Sequence, residues 1–327
     1  MNYSDNRVIQ SSALQNAVKV LDTNSLPQGI RLSRQSPDWT PDDFGNFIHG
    51  TNQTDYEYIG TSPRERKAGR VFTASEFNAQ YPVPIHCEMS FLAGYPKKIY
   101  FFCKKAAVIG GETPLVDYRK VYQSLPEALR EKLTKNGVKY YRTYKSKKQK
   151  SFLNFTSVKS WEDLFGTEDK NEIARQCAVE GQDHVWNMDG SVTITEKRAA
   201  FVFLEDLKEW THFNHIQSFH PLSIVYEARR LFLKYKSFSS LRIYLAGLIF
   251  IGWRYYLIPV SKQATFVTFG DGSKLSRKEV LAIQKAIWAN AVYYKLKEGE
   301  VLELDNRFIA HGRLPFRGER EIWVTWK

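Results

Sequence analysis

Apolar runs and alternations place strands along most of this chain. Pro84 to Leu92 (PIHCEMSFL) reads as a β-strand whose side chains alternate between two faces. Lys98 to Cys103 (KIYFFC) is an apolar strand core and Val71 to Thr73 a short strand. Glu112 to Val116 opens another after the Gly110-Gly111 turn, and Val301 to Leu304 and Glu321 to Trp326 add two near the C-terminus. Lys139 to Lys150 (KYYRTYKSKKQK) reads as a strand running into a basic, solvated loop. Helical spacing appears over Asp117–Leu133, with Val121, Leu125, Leu129 and Leu133 on one side, and over Trp161–Gly181. Ser276–Ala291 is a helix opened by a Ser276-x-x-Glu279 capping box. Shorter helices are expected over Ser12–Leu21 and Pro41–Gly50, a loop over Tyr58–Arg64 and a tight turn over Phe269–Ser273.

Residues 222–264 stand apart, being apolar and basic with LAGLIFIGW at their centre. Arg242 and Arg254 bound an uncharged span of 11 residues, too short to cross a bilayer. A buried helix or a lid over an active site is expected there, in preference to a helix resting on a membrane. With no repeat, low-complexity tract or linker, the chain reads as one domain over 1–327, carrying an insert at about 140–265. Aromatic residues make up 14% of the chain, which favours β-rich packing. Lys and Arg number 47 against 35 Asp and Glu, a net charge of +12 that suits an acidic partner, an anionic surface or nucleic acid without choosing among them. Lys and Tyr interleave over 139–150, but no further element supports a nucleic-acid partner. Three cysteines make no disulfide framework and no secretory pattern opens the sequence, so a reducing cytoplasm is the expected compartment.

Candidate chemistry starts at His86 and Glu88. On a strand they share a face, roughly 7 Å apart, with Cys87 turned away. An imidazole, a carboxylate and one distant His form the facial set that holds non-haem Fe(II) with positions left open. The distant His is His311, in DNRFIAHGR, 225 residues on. That separation suits a jelly roll, where strands remote in sequence lie side by side. Arg320 heads the last strand and offers a planar fork of donors for a carboxylate; Thr113, at another strand start, could add a hydroxyl. A keto acid chelating the iron would have its far carboxylate there. The same three ligands could instead hold zinc for hydrolysis, or the fold could serve a basic binding protein without chemistry. His212, His215 and His220 are expected to be structural or to support the ligands.

HCEMSF, GGETPL with Asp117, and DNRFIAHGRLPFRGER together resemble the taurine dioxygenase (TauD/TfdA) and clavaminate synthase-like superfamily of Fe(II)- and 2-oxoglutarate-dependent oxygenases. YIGTSPR at 58–64, WEDLFGT at 161–167 and FGDGS at 269–273 look like the SyrP-like branch of peptide natural-product pathways. The resemblance implies a mainly β fold with flanking helices: a cupin-like double-stranded β-helix core (jelly roll) with a large helical insert. It implies Fe(II) on His86, Glu88 and His311, 2-oxoglutarate on Thr113 and Arg320, and O₂ as co-substrate. A carboxylate at 88 implies hydroxylation in place of halogenation; desaturation, cyclisation and epimerisation share the first half of the chemistry. The implied substrate is an amino acid or its derivative, free or on an acidic peptidyl carrier protein, with Arg64, Asn214 and Arg313 as candidate contacts. Cys87 in place of a common Asn, Gly299-Glu300, and the long 222–264 segment depart from the branch pattern.

Overall fold

The computed structural model describes residues 21–50, 64–74, 77–149, 159–260 and 263–327. The helix expected over Ser12–Leu21 and the loop over Tyr58–Arg64 lie outside them, apart from Leu21 and Arg64.

Two antiparallel sheets form the centre. The larger pairs Ile30–Arg34, Glu300–Asp305, Lys98–Lys105, Glu321–Trp326, Val71–Thr73 and Arg66–Ala68, in that order. The smaller pairs Ala291–Tyr294, Thr113–Asp117, Ile309–Arg313 and Val83–His86. Most neighbours are remote in sequence, as when Ile309–Arg313 inserts between Thr113–Asp117 and Val83–His86. This is a double-stranded β-helix. Apolar residues from both sheets, among them Ile85, Ile99, Phe101, Leu115, Ala310 and Val324, pack in one buried cluster.

The insert carries a sheet as well as helices. Thr265–Phe269, Val138–Tyr144, Val192–Arg198 and Asp183–Trp186 pair in that order, and Arg142 is buried there against Glu196 at 2.8 Å. Two expected helices are each divided. Leu125 is extended because Pro126 follows it, so Asp117–Leu133 becomes Tyr118–Ser124 and Glu127–Asn136. Gly166, in the left-handed region, ends Trp161–Phe165 before Lys170–Val179 begins. Helix Arg277–Ala289 has both halves of its capping box, and Pro41–His49 forms as expected with a Thr40–Asp43 box of its own.

Residues 222–264 form a hairpin of helices Pro221–Tyr235 and Phe238–Leu257. The expectation that the second is buried is corrected: Leu245, Leu248 and Ile249 face outward. No helix among the described residues is long and apolar enough to cross a membrane.

Candidate active site

His86 ends its strand, and His311 sits directly opposite it on the neighbouring strand. Their rings lie 4.8 Å apart, centroid to centroid. The strand expected to run to Leu92 stops at His86 instead. The chain then turns through Glu88–Phe91, with Met89 in the left-handed region and Leu92 N–H donating to the Met89 carbonyl. Glu88 therefore reaches the site from a turn, and alternation along a strand is not what brings it there.

Asn306 fixes that turn. Its Oδ1 accepts from Glu88 N–H at 2.6 Å, and its Nδ2 donates to the Glu88 and Pro96 carbonyls at 3.0 and 2.7 Å. Asn306 is fully buried, and the sequence marks it only as part of the DNRFIAHGR stretch. Tyr118 steadies the strand from the other side by donating to the Ile85 carbonyl at 3.0 Å.

One ligand atom from each of His86, Glu88 and His311 lies within 4.8 Å of the others, the one such group of three among the described residues. The donor set fits a divalent metal. His86 Nδ1 is 2.8 Å from the Pro84 carbonyl, so it carries the proton and leaves Nε2, 3.7 Å from Glu88 Oε2, with a free lone pair. His311 Nδ1 is buried with no hydrogen-bond partner, and Phe101 packs edge-on against the ring at 4.9 Å. Burial, then the neighbouring His86, holds His311 neutral, which is the ligating form. Burial alone would push the Glu88 carboxyl up; the Arg64 guanidinium at 2.7 Å outweighs it, leaving Glu88 ionised far below the usual carboxylate range.

The cavity beside this group is lined by His86, His311, Thr113, Arg313 and Arg320. Arg320 has no carboxylate partner among the described residues; burial brings it down to about 10, still cationic at neutral pH, and the Phe316 ring lies 5.5 Å from it. A partly buried cation that faces a cavity without an anion can take one there. Gly312 lies where a Cβ would stand 2.7 Å from the Val83 carbonyl, at the register break between His311 and Arg313.

Of the expected substrate contacts, Arg64 and Arg313 line the cavity and Asn214 does not. Arg64 is turned onto Glu88 and the Thr73 and Ala74 carbonyls. Arg313 lines the cavity but donates to the Phe77, Asn78 and Tyr81 carbonyls. Asn214 is corrected to a structural residue: it is fully buried, its Oδ1 accepts from Ile216 N–H and its Nδ2 donates to the Ala200 carbonyl. Of the three clustered histidines, His220 caps a helix by accepting from Leu222 N–H. His215 alone approaches the group, 5.2 Å from His86, with its Nδ1 on Ser90 Oγ at 2.7 Å. Nothing in the local sequence separated it from His212, since only the packing of Ile216–Phe219 against Val83–His86 brings it there.

The model of the taurine catabolism dioxygenase TauD, TfdA family matches residues 28–237, which include His86, Glu88 and Thr113. Over 265 residues the chain is 26% identical to the dapdiamide synthesis protein DdaC of Enterobacter agglomerans, covering 81% of this chain and 71% of that one. It is also 26% identical to a clavaminate synthase-like protein of Arabidopsis thaliana, over 93% of this chain and 83% of that one. A taurine dioxygenase structure from Burkholderia xenovorans aligns at a TM-score of 0.43 and 12% identity, over 91% of this chain and 75% of the other. With the family match spanning more than half its length, the chain belongs to the TauD, TfdA family and is a dioxygenase that uses Fe(II), 2-oxoglutarate and O₂.

Proposed function

We propose that the enzyme hydroxylates an unactivated C–H of an amino acid or amino-acid derivative in natural-product biosynthesis. In this reading His86, Glu88 and His311 hold Fe(II), and Thr113 and Arg320 take the far carboxylate of 2-oxoglutarate. Bound there, the metal and keto acid supply oxidative decarboxylation to succinate and CO₂ coupled to oxidation of a substrate C–H. The observation that carries the reading is the convergence of three ligand atoms beside a cavity that holds a guanidinium without an acid. Three protein ligands would leave positions on the ion for the keto acid and O₂.

The protein's own residues supply position and charge. Asn306 fixes the Glu88 turn, and the Pro84 carbonyl sets the His86 tautomer. Arg64 keeps Glu88 anionic, so no proton has to leave it at neutral pH when metal enters. Phe101, Val83 and Ile322 give the cavity apolar walls. A relative named for dapdiamide synthesis supports the biosynthetic setting, and the +12 net charge suits an acidic carrier protein bearing the substrate.

Anaerobic reconstitution with Fe(II), followed by 2-oxoglutarate, O₂ and a panel of free and carrier-bound amino acids, tests the reading. Succinate and a product 16 mass units heavier are expected (one oxygen gained), with none from His86→Ala or His311→Ala. Full activity in both variants would remove it, as would zinc-dependent turnover that persists without O₂ and keto acid.

A further inference from the structure

The hairpin of Pro221–Tyr235 and Phe238–Leu257 has no part in the chemistry proposed above. Its helices approach closely: a Cβ on Gly247 would stand 4.0 Å from that of Ala228, and Phe232 stacks on Tyr244. Such packing ordinarily covers the apolar face of a helix. Here Phe238, Leu245, Leu248, Ile249, Tyr256 and Leu257 all remain exposed, Phe238 and Ile249 by 72% and 71%. Positions 238, 242, 245, 249 and 256 recur at helical spacing, so they form one outward stripe, apolar except for Arg242. On the first helix and at its end, exposed Arg229, Leu233 and Lys236 share a face in the same way.

Charge identifies what covers this surface. From Ala228 to Gly270 the sequence has seven Lys or Arg and no Asp or Glu. Arg229, Lys236 and Arg242 have no acidic partner among the described residues. A second copy docked by the same face would set like charges against each other, at a cost. Large aliphatic and aromatic side chains flanked by basic residues, on a helix that cannot span, fit the boundary between acyl chains and anionic headgroups. We infer that this hairpin seats the protein on an anionic lipid bilayer. The apolar stripe enters the interface while Arg229, Lys236 and Arg242 meet headgroup phosphates. The inference depends on neither the metal nor the substrate reading.

Flotation of the full chain with phosphatidylcholine vesicles, with and without phosphatidylglycerol, tests it. The protein should float with the anionic vesicles, be released by salt and stay behind with the neutral ones. Ile249→Glu and Arg242→Glu should each lower the partition coefficient at least ~10-fold. Both side chains are exposed, so melting temperature and Fe(II)-dependent succinate formation should match wild type. Three outcomes would overturn the inference: no flotation with anionic vesicles at low salt, equal flotation with neutral ones, or a dimer in light scattering that Ile249→Glu dissociates. Capture of an acidic carrier domain by the hairpin without vesicle binding would likewise assign the face to a protein.

Discussion

Asn306→Ala is the perturbation that most directly separates a built metal centre from a chance meeting of three side chains. The wild-type amide makes three hydrogen bonds of 2.6 to 3.0 Å, two of them to the backbone of Glu88. At about 1 kcal/mol net for each, their loss costs about 3 kcal/mol. The Glu88 N–H and two carbonyls are then left inside the protein without water, which raises the cost toward about 5 kcal/mol. That is a large share of an ordinary domain's stability, about 5–15 kcal/mol. The second effect is on metal: with the Glu88 turn freed, Fe(II) affinity should fall ~10–100-fold, the usual range for removing a partner that orients a ligand. Urea unfolding of the metal-free protein reads the first effect, and anaerobic Fe(II) titration the second. Asn306→Asp separates the bonds, since it keeps the acceptor for Glu88 N–H and turns lone pairs toward the two carbonyls. A loss below about 1 kcal/mol with unchanged metal affinity would refute the reasoning, leaving the turn to its own backbone bonds.

Arg320→Ala should raise the dissociation constant for 2-oxoglutarate ~10–100-fold, the worth of a charge-assisted contact, while Fe(II) affinity stays near wild type; calorimetry on each ligand checks both. Arg64→Met strips the cation from Glu88 in a pair whose side chains are each 4% exposed, and should cost about 3 kcal/mol in the metal-free protein at neutral pH. Because Glu88 titrates well below the ordinary value of 4.5 when folded, its contribution is present above that pH and lost as pH falls through the folded value. The penalty of Arg64→Met should therefore shrink below about pH 4.5, and denaturation at neutral and acid pH giving one constant penalty would contradict the pairing. Gly312→Ala forces a Cβ to within 2.7 Å of the Val83 carbonyl, so about 1–3 kcal/mol of stability should go, together with metal affinity, because His311 is the adjacent residue.

The sequence by itself determined the local elements and the chemical inventory. The short, aromatic-rich run KIYFFC forms a buried strand, and a Ser276-x-x-Glu279 box starts a helix through bonds within its own first turn. Two imidazoles, one carboxylate and the arginine at the head of the last strand were visible as residue types at telling positions. The tertiary structure alone decided what depends on contacts between distant segments. Glu88 is delivered by a turn that Asn306 holds from 218 residues away, Arg64 is held against that carboxylate, and the Asn214 side chain accepts from Ile216 N–H inside the protein. Whether an apolar helix is covered is likewise a property of its neighbours, so the composition of 238–257 could not show that its stripe faces outward. Periodicity reports what a segment does with its own backbone; which side chains meet, and which are left bare, is set by long-range pairing of strands that no local window contains.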